Sequence, residues 1–453
     1  MKRPPSNTLY GLFRSFRENN PIDDIPLPNL PSSNFVHGSR RHRKNSVSGV
    51  ALTSFIEVDP SSHFPIQNLP FGVFKPKPAS TARPGVAIGD YVLDLSAIAA
   101  AGLFNGPILR NSDCFYQPNL NKFLALGRPA WKEARATLQK LLSSTEPTLR
   151  DNQSLKQESL IPLSEVEMLL PVAIGDFTDF FSSMDHVHDC GAKINCKAGQ
   201  AIPLKWYVGL GCHSTEIYSC IFDRLQIEQV LFRVRLDLPI AYHGRASSIV
   251  ISGTDITRPR SIRDVSLETF LRPRWGAAVV GPGNELGNPV DVNEAADHIF
   301  GLVLMNGWIG TTISPWIVTL EALEPFSCDP PKKVCISWFL YDVCSEVQHP
   351  HLMPYVAENI SESYDITLEL AHLTVNGCNL RPGDLFGTGT ISGPGPESYG
   401  SLLELTWDKP LSLNGVTREF LEDGDEVIIT GFSKGNGYKV GFGKCSGKIV
   451  PPP

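Results

Sequence analysis

The stretch Ile174-Gly175-Asp176-Phe177-Thr178-Asp179-Phe180-Phe181-Ser182-Ser183-Met184-Asp185-His186 sets acids, hydroxyls and a histidine between apolar residues. Asp176 and Asp179 offer the hard oxygen donors that Mg²⁺ or Ca²⁺ prefer. His186 carries a side chain that can take a proton near neutral pH. Phe177, Phe180 and Phe181 would hold such groups in a dry wall, where charge interactions strengthen. Two readings are open here: a site for acid–base or metal chemistry, or a polar loop at a strand end with a surface histidine.

Working outward, the 453-residue chain can bury at least one large core and has room for two domains. A net charge of -7 and a pI near 5.9 argue against a nucleic-acid or acidic-membrane partner. No apolar run approaches the length of a membrane span, so a soluble, cytoplasmic protein is expected. The ten cysteines form no CxxC pair, which suits reduced thiols. His186-Val187-His188-Asp189-Cys190 suggests zinc, but no second ligand pair has metal spacing. The 38 glycines and 37 prolines point to many turns between strands.

Residues 1–52 differ from the rest. Pro4, Pro5, Pro21, Pro26, Pro28 and Pro31 break any helix, and Arg40-Arg41-His42-Arg43-Lys44 is a basic run. A disordered extension is expected, with an organelle-targeting segment as the alternative, although Glu18, Asp23 and Asp24 are unusual in one. Order should begin near Ser54. Phe55-Ile56-Glu57-Val58 and the run Val86 to Leu95 read as strands, the latter turned at Gly89-Asp90. Pro129 suits the first turn of a helix, and Trp131, Arg135, Leu138 and Leu142 follow at helical spacing as core contacts.

From Pro171 onward the texture is strand and glycine turn. Ser248 to Ile251, Ala277 to Val280, Phe300 to Met305, Leu402 to Trp407, Glu426 to Gly431 and Tyr438 to Gly443 read as strands. Alternation in the Leu402 strand would put Glu404 beside Leu402 and Thr406. Asn293 can cap a short helix through His298, and Arg381-Pro382-Gly383-Asp384 is a turn. The architecture is β-dominated, without a Rossmann or P-loop fingerprint.

These motifs resemble the fumarylacetoacetase (fumarylacetoacetate hydrolase) family. The matching stretches include Phe64 to Phe74, Asp179 to His186, Tyr242-His243-Gly244-Arg245-Ala246-Ser247-Ser248 and Gly281-Pro282-Gly283-Asn284. Further matches run from Asn376 to Asp384, through Gly389-Thr390-Ile391-Ser392-Gly393-Pro394 to Leu403-Glu404-Leu405, and from Gly424 to Gly431. The resemblance implies a mainly β fold with short helices: an SH3-like β-barrel N-terminal domain with a helical appendage over 53–170, then a mixed β-roll catalytic domain over 171–453. It implies hydrolysis of the carbon–carbon bond of 4-fumarylacetoacetate to fumarate and acetoacetate, the last step of tyrosine and phenylalanine catabolism. It further implies Mg²⁺ and Ca²⁺ as cofactors and a homodimer. Carried over by motif, His186 takes the place of the water-activating histidine and Glu404 that of its orienting glutamate. Asp179 matches a metal-binding aspartate, and Thr311 a threonine beside a magnesium site. Phe181 stands where some members have a substrate-binding tyrosine. Tyr242 and Thr390 match substrate-contacting positions.

The pattern also departs from the family. Pro273 and Trp275 stand where the family has a metal-binding Glu-x-Glu, and neither ligates a hard cation. After Met305-Asn306, the family's stretch with a further metal aspartate and a catalytic lysine is absent. Another family segment is missing between Leu370 and Ala371. Residues 192–238 and 331–350 do not match, and Asn195 replaces a substrate arginine. Weak metal binding is therefore expected. The alternative to an active hydrolase is an inactive member or aberrantly spliced product, serving at most as a binding or dimerisation partner.

Overall fold

The structure of the chain is a computed structural model. The structure describes residues 52–77, 81–180, 183, 186, 241–258, 272–307, 311–328, 340–341, 344–349, 352–357, 366–393, 398–406, 410–413, 416–418 and 421–452. The extension 1–51, the segment 192–238 and most of 331–350 lie outside these residues, as does Phe181.

The first sheet is antiparallel throughout. Its strands are β1 (Phe71–Pro76), β2 (Arg83–Ile88), β3 (Tyr91–Asp94), β4 (Leu160–Pro162) and β5 (Val166–Leu169), in the order β4-β3-β2-β1-β5. Gly89 takes a positive φ of 54° in the two-residue β2–β3 turn, as its sequence suggested. Leu95, expected in the strand, opens a helix instead. Asp94 ends β3 and caps that helix, accepting from the Ser96 and Ala97 amides. Residues 55–58 also depart from the expected strand. Their backbone meets a helix end: the Phe55 amide donates to the Leu142 carbonyl at 3.1 Å, and no neighbouring strand supplies a ladder.

The helix Arg128–Leu142 has Pro129 in its first turn and buries Trp131, Leu138, Leu141 and Leu142. Trp131 meets Phe300 edge-on at 5.0 Å, while Phe71 stacks on Phe123 at 5.3 Å and touches Phe300. Phe300 belongs to the next sheet, so this aromatic cluster joins the two halves of the chain. Gly281 lets the second half approach. A Cβ there would lie 2.2 Å from the Trp131 ring.

The second sheet has eight strands. They are β6 (Phe177–Phe180), β7 (Ala241–Gly244), β8 (Val250–Ile251), β10 (Arg272–Val280), β11 (Ile299–Gly307), β12 (Thr311–Ile313), β13 (Val318–Thr319) and β18 (Leu385–Gly387). The path is β7-β6-β18-β10-β11-β12-β8, with β13 also on β11. The pairs β6–β18 and β8–β12 are parallel, so the sheet is mixed. The third sheet runs β17 (Leu352–Ala357), β16 (Cys344–His349), β21 (Glu426–Lys434), β22 (Lys439–Val450) and β9 (Ile256–Thr257). Two short pairs, β14 (Ser327–Cys328) with β15 (Leu340–Tyr341) and β19 (Leu411–Leu413) with β20 (Val416–Arg418), complete the strands among the described residues. The mainly β reading with short helices therefore holds. Leu304, Val318, Val427, Ile429, Val440, Phe442 and Cys445 form one core shared by the second and third sheets.

Two local expectations change. Residues 246–248 form a 3-10 turn, leaving only Val250–Ile251 as strand. Asn293 caps nothing: its amide groups are held by Asp291, and the turn Ala295–His298 begins after Glu294.

Asn306 and Thr312 face each other across β11 and β12, fully buried beside Leu304 and Cys445. Both amide atoms of Asn306 and the Thr312 hydroxyl lack hydrogen-bond partners. Such orphaned groups cost about 1–3 kcal/mol each. Asn306→Leu is therefore expected to stabilise by about that amount, read as a higher urea midpoint with unchanged slope. A lower midpoint would mean that the amide has a partner after all.

Candidate active site

Strand β6 divides the opening motif by its two-residue period. Phe177 packs into the core that holds Val279 and Phe300, whereas Phe180 packs with Ala278, Val280 and Phe386. The expected single aromatic wall is thus two walls on opposite faces. Asp179 is buried, but Asp176, just before the strand, is exposed and meets His243 Nε2 at 3.1 Å. The two aspartates do not converge. The Asp179 Oδ1 accepts from the Gly389 amide at 3.1 Å. Its cross-strand partner on β18 is Gly387, where a Cβ would lie 2.3 Å from that oxygen. The absence of a side chain at 387 makes room for the carboxylate. Tyr242 pairs with Asp179 on the other side, along the backbone of β7.

Beyond β6, the Ser183 hydroxyl accepts from the His186 amide at 3.1 Å and from the Ser392 amide at 3.0 Å. It donates to the Ser392 carbonyl at 3.2 Å. This one side chain ties the segment after β6 to the segment after β18. His186 is buried, and its Nδ1 lies 3.1 Å from Glu404 Oε2. The same oxygen accepts from Ser401 Oγ at 2.5 Å and Ser392 Oγ at 3.0 Å. Thr390 is buried two residues before Ser392.

Glu404 is on a helix, Leu402–Thr406, and not on the expected strand. The reason is a capping box, Ser401-Leu402-Leu403-Glu404. The Glu404 amide donates to Ser401 Oγ at 3.3 Å, and the Leu405 amide to the Ser401 carbonyl at 3.2 Å. Burial pushes the Glu404 carboxyl up. The hydrogen bond and charge of His186, with the two serine hydroxyls, outweigh it and hold the carboxyl below its ordinary value of 4.5. With Nδ1–H donating to the carboxylate, Nε2 is the nitrogen that takes a proton. A buried carboxylate orienting an imidazole is the apparatus of general-base chemistry.

Sequence reasoning paired His186 with Glu404, but missed the three serines that hold them. The S-x-x-E spacing marked Ser401; nothing local marked Ser183 or Ser392. Thr311 on β12 and Asp179 on β6 belong to the same sheet, four strands apart in its order.

The mixed sheet thus carries a buried histidine–carboxylate pair near the ends of β6 and β18. Residues 67–171 match the fumarylacetoacetase N-terminal family and residues 309–450 the fumarylacetoacetate (FAA) hydrolase C-terminal family. The chain is 53% identical to a fumarylacetoacetase of Arabidopsis thaliana, over 89% of this chain and 99% of that protein. The identity is 46% to one of Oryza sativa subsp. japonica, covering 88% of this chain and 97% of the relative. It is 40% to one of Homo sapiens, covering 88% and 99%. The chain belongs to the fumarylacetoacetase family.

That family is metal-dependent in general. Among the described residues, the side chains do not fit a tightly held divalent cation. Among the described residues, no three His, Cys, Asp or Glu side chains stand close enough to share an ion. Strand β10 carries Pro273 and Trp275, which offer no oxygen ligand, and its register with β11 shifts between Arg274 and Ala277.

Two outcomes follow from this geometry. Gly387→Ala should displace the Asp179 carboxylate and destabilise the fold by about 1–3 kcal/mol, measured by chemical denaturation. Because the Glu404 pKa is lowered on folding, its stabilisation is present above pH 4.5 and is lost as pH falls below it. Glu404→Gln should flatten that acid dependence in urea titrations between pH 3 and 5.

Proposed function

We propose that this chain hydrolyses the carbon–carbon bond of 4-fumarylacetoacetate, giving fumarate and acetoacetate at the end of tyrosine and phenylalanine breakdown. The observation that carries the reading is the buried contact between His186 Nδ1 and Glu404 Oε2 at 3.1 Å. The near-full-length identity to fumarylacetoacetases supports hydrolysis over the inactive alternative. In this reading His186 Nε2 takes a proton from water, and the hydroxide oxygen adds to the fumaryl group's own carbonyl carbon, which becomes the second carboxyl of fumarate. The bond between that carbon and the acetoacetate carbon then breaks. Its electron pair leaves as an enolate, which is protonated to acetoacetate. Glu404 orients the ring and offsets the imidazolium charge. Thr390, Tyr242 and Phe181 are the proposed substrate-contacting positions. Asp179 is proposed as a metal-binding aspartate and Thr311 as a threonine beside a magnesium site; no step depends on either. We read 53–170 and 171–453 as an SH3-like domain and a catalytic domain. Cytoplasmic location and a homodimer are part of the same proposal. Among the described residues, no helix is long and apolar enough to cross a membrane.

The test is turnover of fumarylacetoacetate by the purified chain, followed by loss of its absorbance. His186→Ala should lower kcat by about 10²–10⁴-fold, with the fold intact by circular dichroism. Mg²⁺ and Ca²⁺ should bind weakly in calorimetric titration. One tight site with metal-dependent turnover would overturn the metal part of the reading, and wild-type inactivity the reading itself.

A further inference from the structure

We infer that Ser392 and Ser401 are positioning residues which aim Glu404 at His186 and set how readily the pair takes a proton, an inference that rests on the hydrolase reading above. Three donors converge on one oxygen: Ser401 Oγ at 2.5 Å, Ser392 Oγ at 3.0 Å and His186 Nδ1 at 3.1 Å, all from Glu404 Oε2. All four residues are buried, so water does not compete at this cluster.

The donors come from three different places in the chain, and each is itself held. Ser401 caps the helix that carries Glu404 and accepts its amide. Ser392 Oγ accepts from the Gly400 amide at 2.9 Å while donating to Glu404, so its hydroxyl direction is fixed. Ser183 binds the Ser392 backbone and the His186 amide together. Gly400 packs so closely that a Cβ would lie 1.9 Å from the Ile391 carbonyl oxygen. The distance between carboxylate and imidazole is therefore set by backbone segments locked through hydroxyls. A carboxylate with one hydrogen-bonding partner could rotate about χ3; one gripped by three cannot do so without losing bonds.

The electronic consequence has a definite sign. Hydroxyl donors draw charge density from the carboxylate. Removing one makes Oε2 more basic and a better partner for imidazolium. The pair then binds its proton more readily. Among the described residues, His186 is the titratable group acting on Glu404, and both hydroxyls act in the same direction. A base that must be neutral to accept water's proton is then lost at a higher pH.

Ser401→Gly is the sparing variant, because glycine at a helix cap costs only a few tenths of a kcal/mol relative to serine. Ser401→Thr keeps the hydroxyl and should behave as wild type. Ser392→Ala completes the set. Three readouts apply to the full chain: kcat and KM, the pH profile of kcat/KM, and the ¹⁵N titration of the His186 ring by NMR. For Ser401→Gly and Ser392→Ala we expect kcat to fall about tenfold with KM nearly unchanged, and the acid limb and ring midpoint to rise by about one pH unit. Unmoved midpoints in both variants would overturn the inference, as would losses that Ser401→Thr shares. The ring titration needs no turnover. If the wild-type chain proves inactive, a raised midpoint still supports the serine inference while the hydrolase reading fails.

Discussion

A carboxylate with no exposed surface is the constraint on which this molecule depends. Burying an ionised Glu404 costs several kcal/mol unless donors surround it. The donors here are His186, from a distant part of the sequence, and Ser392 and Ser401, from just before Glu404, and they meet at one oxygen. The topology of the second sheet brings two of those segments together. Strands β6 and β18 run parallel, Phe177 opposite Leu385 and Asp179 opposite Gly387. Parallel neighbours send their carboxyl ends out on the same side, so the chain leaving Asp179 toward Ser183 and His186 runs beside the chain leaving Gly387 toward Thr390 and Ser392. This is the usual place for a site on a sheet with parallel strands.

That arrangement needs the sheet held from both sides. On one side lie the first sheet and the helix Arg128–Leu142. The Phe71 and Ile317 backbones bond reciprocally, at 2.9 and 2.7 Å, and Trp131 wedges against Phe300. Asn121 fixes the approach to β6 by bonding Ala173 and the Pro382 carbonyl, linking the start of β6 to the Arg381-Pro382-Gly383-Asp384 turn before β18. In that turn Asp384 accepts from the Asp176 and Arg381 amides. Asn284 plays a similar part in the Gly281-Pro282-Gly283-Asn284 motif, accepting from the Leu380 amide and donating to the Cys378 carbonyl. These motif residues are scaffolding for the ends of β6 and β18. Their chemistry is spent on backbone partners.

The far end of the second sheet tells a different story. Asn306 and Thr312 are buried without partners where β11 approaches β12, next to the place where the family pattern breaks off after Met305-Asn306. Near β6 and Glu404 the polar side chains interlock; here two polar side chains face a core that gives them nothing. The shift in register on β10 lies nearby, along the strand that carries Pro273 and Trp275.

The sequence by itself determined the β-rich character, the helix opened by Pro129 and the tight turn at Gly89, because each is a local consequence of pattern and backbone preference. By motif it also paired His186 with Glu404. Leucine alternation alone read Leu402–Thr406 as a strand; the Ser401-x-x-Glu404 spacing, legible in the sequence, makes it a helix once Ser401 accepts the Glu404 amide. Tertiary structure alone decided that Asp176 would turn to solvent while Asp179 went inside. It alone brought Ser183, Ser392 and Ser401 to one cluster. Those outcomes depend on which strands become neighbours and on which side each chain exits. That information lies in long-range pairing, and no window of adjacent residues contains it.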